Sequence, residues 1–253
     1  MNIQEHRAAI DKIDAQIVKL LNRRTKHVLN IGQAKLASGK AIFQPDREQA
    51  LLRRICKLSD GVLSDESLRH IYREVMSSSI ALQKGFKIAF LGPEATYTHQ
   101  AAVRRFGTSL AYVPQKTIAE VFSEVEKDRA EYGVVPVENT TEGVVTHTLD
   151  MFVDSELKIV AQIVMPIEHC LVGKGSMEQA KKLYSHPQAY AQCRNWVRET
   201  LPSVEFIETS STTAAAALAA RAKTAVAISS ALAAEKYKLN ILDAAIQDHS
   251  GNA

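Results

Sequence analysis

Through the first third of the chain, apolar positions recur at helical spacing. One stripe steps three, four, three, four residues through Arg7, Ile10, Asp14, Ile17, Leu21, Arg24, Val28, Ile31 and Lys35. Its apolar members mark it as the buried seam of a long helix. The pattern predicts three helices, near residues 3–37, 45–59 and 65–84. Pro45 suits a first-turn position, Gly61 lies just past the second helix, and Ser64-Asp65-Glu66 opens the third with a cap and an acidic first turn. From Lys87 the texture changes. KIAFLG, LAYVP, EYGVVPV, LKIVAQIVM, EFIET and TAVAIS are short β-rich runs separated by helical segments. That alternation predicts an α/β module with a largely parallel sheet. The fold class is therefore α + α/β, with an all-helical domain at 1–84 and an α/β domain at 86–253, changing over near Gln83–Phe86.

Composition narrows the classes. The chain has 253 residues, 46% hydrophobic and 23% charged, as expected for a globular protein with room for two domains. No run approaches the roughly 18 consecutive apolar residues of a membrane span. The opening MNIQEHRAAIDKID is polar and amphipathic, unlike a signal peptide. Cys56, Cys170 and Cys193 are scattered and lack CxxC spacing, which points to a reducing cytoplasm rather than a disulfide framework. The histidines form no HExxH-type pair, so no metal site is expected. Residues 1–84 carry 15 Lys and Arg against 9 Asp and Glu, a surplus of 6, whereas the rest carries 16 against 19. Such a bias suits a helical part that handles an anion.

Three cations interrupt the apolar stripe: Arg7, Arg24 and Lys35. A buried cation without a partner costs several kcal/mol, so each needs company. Snorkelling, or pairing with Glu48 or Asp14, would account for one of them. Glu48 leads the apolar face Leu52, Ile55 of the second helix, and Ser79 and Gln83 sit four apart beside Val75 and Leu82 on the third. An internal polar pocket with excess positive charge is the simpler account of the set. At 1.5 Å rise per residue, Arg24 and Lys35 lie roughly 16 Å apart, but Arg7 is roughly 42 Å from Lys35. Arg7 can serve that pocket only from a second, antiparallel subunit. A helix of about 35 residues also cannot cover its stripe with two much shorter helices, so a homodimer is expected.

With HRAAIDKID, LLNRR, GQAKL, QPDRE and SSSIALQ, residues 3–84 resemble the all-helical chorismate mutases. The resemblance implies an intertwined dimer that converts chorismate to prephenate without a cofactor. By position, Arg24, Arg47 and Arg7 of the partner subunit would hold the substrate carboxylates. Lys35 and Gln83 would donate to the ether oxygen, Glu48 would take the ring hydroxyl, and Ser79 would line the pocket. Gln44 falls at a substrate-binding position where family members often place an acidic residue. A Claisen rearrangement needs no nucleophile; it needs one conformer selected and donors placed where charge develops.

The second module carries hydroxyl and amide clusters where strands hand over to helices: GPEATYTH, VPVENTTEG, YSHPQAYAQC and ETSSTTAAAA. N-capping explains any one of them. Four together suggest a carboxylate cradle at the carboxyl ends of strands. FLGPEATYTH, VPVENTTEGVV and YSHPQAYAQC, in this order, resemble prephenate dehydratase over residues 86–253, with Ala95 replacing a glycine common in that loop. The resemblance implies two lobes like those of type-2 periplasmic binding proteins, with prephenate between them. Asn139, Ser185 and Gln192 fall on site positions, and Thr96, His186 and Thr213 on the lining. The implied reaction expels the ring hydroxyl as carbon dioxide leaves, giving phenylpyruvate. The family's Thr-Arg-Phe motif would follow a stretch like IQDHSGNA, and the chain stops at Ala253, so impaired dehydratase activity is expected. A two-lobed ligand-binding regulator with a helical dimerisation module remains the alternative. It would need a DNA-reading helix, and no compact helix-turn-helix with a basic surface is evident, so neither nucleic acid nor membrane is an expected partner.

Overall fold

A computed structural model describes residues 2–37, 45–82, 86–140, 143–249 and 251. Gln44 and Gln83, both placed at the chorismate site by resemblance, lie outside the described residues. The chain divides into two compact units, one formed by residues 1–86 and 106–111, the other by 87–105 and 112–253.

The first unit is built on α1 (Ile3–Ala37), α2 (Pro45–Leu58) and α3 (Asp65–Ala81). A reciprocal cap opens α1: the Glu5 amide donates to Asn2 Oδ1 at 3.0 Å and the Asn2 amide to Glu5 Oε2 at 2.9 Å. Ser64 caps α3 by accepting from the Ser67 amide at 3.1 Å. The loop 107–109 docks on α3. Glu74 takes both the amide and the hydroxyl of Thr108, and Ser77 Oγ accepts from the Ser109 amide at 3.2 Å.

Within one chain the stripe on α1 is covered only in part. Ile10 is 55% exposed, and Ile17, Leu21 and Ile31 are exposed as well, while Arg24, Val28 and Lys35 are half-buried. The cause is length: α2 and α3 have 14 and 17 residues against 35 in α1, so within one chain they cover only part of it.

Among the described residues the second unit holds two larger sheets and a two-stranded ladder. The smaller has strand order β2-β1-β3, from β1 (Lys87–Leu91), β2 (Ala111–Gln115) and β3 (Tyr132–Val134), with β1 and β3 parallel. α4 (Tyr97–Phe106) and α5 (Ile118–Glu126) connect them, and Thr117 caps α5. Next comes a two-stranded ladder of β4 (Glu138–Asn139) and β5 (Gly143–Val144), then α6 (Thr146–Asp154). Phe122 of α5 meets Phe152 of α6 edge to face at 4.9 Å.

The larger sheet has order β10-β6-β9-β7-β8, from β6 (Cys170–Gly173), β7 (Lys182–Ser185), β8 (Glu205–Glu208), β9 (Ala225–Ser229) and β10 (Asn240–Asp243). Around it lie α7 (Pro187–Gln192), α8 (Arg194–Thr200), α9 (Thr212–Ala219) and α10 (Ala231–Tyr237). β6 runs antiparallel to both β9 and β10, while β7 is parallel to β8 and β9. So β6 opposes the other four strands, and the expectation of a largely parallel sheet holds except there. The run LKIVAQIVM, expected as a strand, forms none: residues 155–169 are irregular, with Ile159, Val160 and Val164 exposed. β propensity needs a neighbouring strand to pair with before it becomes a ladder.

Candidate active sites

In the helical unit the half-buried Arg24 donates from Nη1 to Ser79 Oγ at 3.1 Å, and Ser79 itself donates to the Val75 carbonyl at 2.7 Å. Burial lowers the Arg24 pKa from its ordinary value, without removing a charge that a guanidinium keeps at any working pH. Ser79 is buried, while Glu48 and Lys35 are half-buried and both engaged in polar interactions. Arg47 and Arg7 are exposed. The structure thus brings Arg24 and Ser79 into contact, and leaves Arg7 at the solvent-facing far end of α1.

In the α/β unit, hydrogen bonds link three of the four predicted clusters. Ser185, the last residue of β7, is fully buried and donates to the His186 carbonyl at 3.0 Å. His186 caps α7, its Nδ1 accepting from the Gln188 amide. The Ser185 carbonyl accepts from the Thr209 amide at 2.9 Å, and Thr209 Oγ1 donates to the Ser211 carbonyl at 3.0 Å. Ser211 caps α9, whose second residue is Thr213. At the end of β9, Ser229 Oγ donates to the Thr212 carbonyl at 2.8 Å. Its neighbour Ser230 donates to the Ala95 carbonyl at 3.3 Å. Beside Ala95 in the same loop, Thr96 Oγ1 donates to the Pro93 carbonyl at 2.9 Å. Asn139 is set by a different device, opposite Gly143 on the β4–β5 ladder.

Thr213 is 2% exposed, and its Oγ1 is buried with no hydrogen-bond partner. A buried hydroxyl left unsatisfied costs about 1–3 kcal/mol. It is the kind of group a bound ligand satisfies, at a helix N-terminus that already favours anions.

The loop of GPEATYTH is held tightly. Ala95 has φ +66° and is buried, packed with Ala215, Ala216, Ala233 and Ala234. Its amide donates to His99 Nδ1 at 3.0 Å, so that nitrogen carries no proton. His99 stacks on Phe90 at 4.6 Å, and burial lowers its pKa. The positive φ explains why glycine is the common residue in such a loop. A 2.6 Å ion pair between Lys236 and Glu94 flanks the same loop, and that hydrogen bond holds the Glu94 carboxyl below its usual range.

Sequence reasoning missed Ser229-Ser230, Tyr97 and His169. The two serines end a strand and open a helix, as the four recognised clusters do, so the same signal would have found them. Tyr97 lies within the GPEATYTH cluster but is not among the residues picked from it, and His169 offered no such pattern. Yet Tyr97 Oη lies 2.8 Å from the Glu168 carbonyl and 3.0 Å from His169 Nδ1, and His169 Nε2 lies 2.7 Å from Gln192 Oε1. Among the described residues, no three His, Cys, Asp or Glu side chains gather as a metal site, and no helix is long and apolar enough to cross a membrane.

A three-helix unit with a half-buried arginine and an α/β unit whose strand ends carry clustered hydroxyls make this a two-module chain. Residues 6–84 match the family model of chorismate mutase type II, and residues 88–253 match that of prephenate dehydratase. The chain is 48% identical over 255 residues to a bifunctional chorismate mutase/prephenate dehydratase of Aquifex aeolicus, covering 99% of this chain and 70% of that protein. A protein of the same description from Neisseria gonorrhoeae is 43% identical, covering 98% and 69%. Among solved structures, a prephenate dehydratase from Arthrobacter aurescens in complex with L-Phe matches at TM-score 0.60 and 32% identity, over 66% of this chain and 57% of that one. GqqA, described as a novel type of quorum quenching acylase, also matches at TM-score 0.60, with 29% identity over 66% and 60%. The chain belongs to the bifunctional chorismate mutase/prephenate dehydratase family, which sets aside the alternative of a ligand-binding regulator.

Proposed function

We propose that residues 1–84 rearrange chorismate to prephenate in a homodimer, and that residues 86–253 bind prephenate for decarboxylating dehydration to phenylpyruvate. The contact between Arg24 and Ser79 carries the first half. It presents a desolvated guanidinium, oriented by a hydroxyl, inside the helical unit. Bidentate arginine contacts are the natural grip for a dicarboxylate. In this reading Arg24, Arg47 and Arg7 of the partner subunit hold the carboxylates, with Gln44 nearby. Lys35 and Gln83 meet the ether oxygen as its charge grows, Glu48 takes the ring hydroxyl, and Ser79 positions Arg24. The exposed apolar stripe of α1 supports the dimer, since a second copy of α1 would cover it.

The buried, unpartnered Thr213 hydroxyl supports the second half. Thr96, Asn139, Ser185, His186, Gln192 and Thr213 then supply hydroxyl, amide and imidazole contacts to prephenate. Aromatisation drives the dehydration, and the enzyme's task is to help the ring hydroxyl leave as water. All three cysteines are free thiols, which supports a cytoplasmic setting. Incubating the chain with chorismate, and following prephenate and phenylpyruvate separately, tests the reading. Chorismate that persists at the uncatalysed rate would refute it.

A further inference from the structure

The first turn of α9 leaves donors outside its own bonding. Ser211 Oγ accepts the Ala214 amide at 3.0 Å, and the Ser211 carbonyl accepts the Ala215 amide at 3.0 Å. The amides of Thr212 and Thr213 come before these and lie outside the intrahelical ladder. A further donor is the hydroxyl of Thr213, a residue 2% exposed, and this hydroxyl has no partner. Helical Cα–Cβ bonds tilt towards the N-terminus, so the hydroxyl leans to the same end as the two amides. Thr212 is only half-buried, so that end is not sealed. Loops of both sheets meet beside it. Ser229, at the carboxyl end of β9, donates to the Thr212 carbonyl at 2.8 Å, and Ala95, in the loop after β1, shares a core cluster with Ala215 and Ala216.

We infer that this end of α9 holds the carboxylate of prephenate that survives the reaction, the one on its pyruvyl side chain. The site then recognises 2-oxo acids that carry a six-membered carbon ring. The inference rests on the reading of residues 86–253 as a prephenate site. Prephenate offers two carboxylates, and the reaction treats them oppositely. The bond from the ring to its own carboxylate breaks, and that electron pair becomes a ring π bond. The ring C–O bond breaks with it, and the hydroxyl takes one proton to leave as water. The departing carboxylate thus loses its charge in becoming carbon dioxide. Donors fixed on it would hold the ground state more tightly than the transition state and slow the step. The pyruvyl carboxylate keeps its charge throughout, so donors on it cost the chemistry nothing. The free amides, the Thr213 hydroxyl and the positive end of the helix dipole therefore belong on that group. Phenylpyruvate carries the same group, so product competes with substrate for the end of α9.

The test titrates the full chain with phenylpyruvate, and with prephenate in an Arg24→Ala background that weakens binding by the helical unit. Thr213→Val should weaken both ligands by a common factor, about 5- to 10-fold. Thr212→Pro deletes one of the amide donors. Proline is tolerated at the first helical position, and Ser211, at φ −162° and ψ 160°, has the extended backbone that precedes proline. Thr212→Pro should also weaken both ligands, whereas Thr212→Ala, which keeps the amide, should stay within about 2-fold of the parent. Thermal melts establish that each variant is folded, and Thr213→Val carries the test by itself if Thr212→Pro does not fold. Phenylpyruvate affinity untouched by Thr213→Val while prephenate weakens would put the ring carboxylate at α9; that overturns the inference and leaves the crevice reading standing. Affinity for both ligands untouched by Thr213→Val and by Thr212→Pro removes α9 from the site and overturns the inference as well. A parent chain that binds neither ligand overturns the prephenate reading beneath it.

Discussion

Arg24 and Ser79 stand 55 residues apart in sequence, and a 3.1 Å hydrogen bond joins them across α1 and α3. Because Ser79 donates its own proton to Val75, it meets Arg24 purely as an acceptor. The guanidinium is thereby aimed before any substrate arrives. Ser79→Ala should loosen that grip, raising the chorismate KM several-fold with little change in kcat. Lys35→Ala should behave differently. A donor to the ether oxygen gains strength only as the bond breaks, so kcat should fall by about 3–4 kcal/mol of activation free energy. Steady-state kinetics on chorismate separates the two patterns, and normal turnover in Lys35→Ala would remove that lysine from the mechanism.

The exposed stripe of α1 leads to a complementation experiment. Arg7→Ala and Lys35→Ala chains, each inactive as a homodimer, are refolded together. Shared pockets predict that heterodimers regain one unmutated pocket and a corresponding fraction of mutase activity. A verified heterodimer without recovery, or an active monomer, would argue for pockets built within one chain.

Thr213→Val replaces an unpartnered buried hydroxyl with a methyl of similar shape. Stability should hold or rise by up to about 1–3 kcal/mol, since the desolvation cost disappears. Prephenate binding should weaken. Paired thermal melts and titrations would expose a different role for Thr213 if stability falls while affinity stays put.

Gly107 has φ +87°, and a Cβ there would lie 2.5 Å from Ser77 Cβ. Gly107→Ala therefore combines backbone strain with a backbone-anchored clash, and should cost about 2–4 kcal/mol. Gly61 has φ +91°, and a Cβ added there would meet nothing within 4 Å. Gly61→Ala should therefore lose only the backbone part, about 1–2 kcal/mol. Urea denaturation of both variants checks the order; equal losses would mean that loop 107–109 yields easily.

Burial depresses the pKa of both His99 and His169 below the ordinary 6.5. Just below that value the unfolded chain binds more protons than the folded one, so stability rises with pH through the window. The contribution is fully present above 6.5 and is lost as pH falls from there towards the folded values. Glu94 and Lys236 oppose each other at His99, and the Gln192 contact partly offsets burial at His169. Urea midpoints across about pH 5 to 8 should decline on the acid side, and His99→Gln should flatten the decline. An unchanged slope in that variant would assign the effect elsewhere.

The helices of the first unit were legible because amphipathic period, Pro45 and the Ser64 cap are local signals. The hydroxyl clusters of the second unit were legible for the same reason: strand-to-helix junctions write their caps into adjacent residues. The reversal of β6 was not. Strand direction depends on how a segment re-enters a sheet, and CLVG reads alike in either direction. LKIVAQIVM misled because β propensity describes a surface ready to pair, and pairing is supplied by a neighbour distant in sequence.

The sequence by itself determined the two-module plan, the cations on α1 and the motifs that carry the family. Only the tertiary structure decided that Arg24 meets Ser79, that the stripe of α1 lies open within one chain, and that Thr213 keeps a buried hydroxyl unpaired. It also joined Tyr97 to His169 and Gln192. Periodicity reports which face a side chain occupies along its own element. Contact, burial and the direction of a proton depend on what other elements bring to that face.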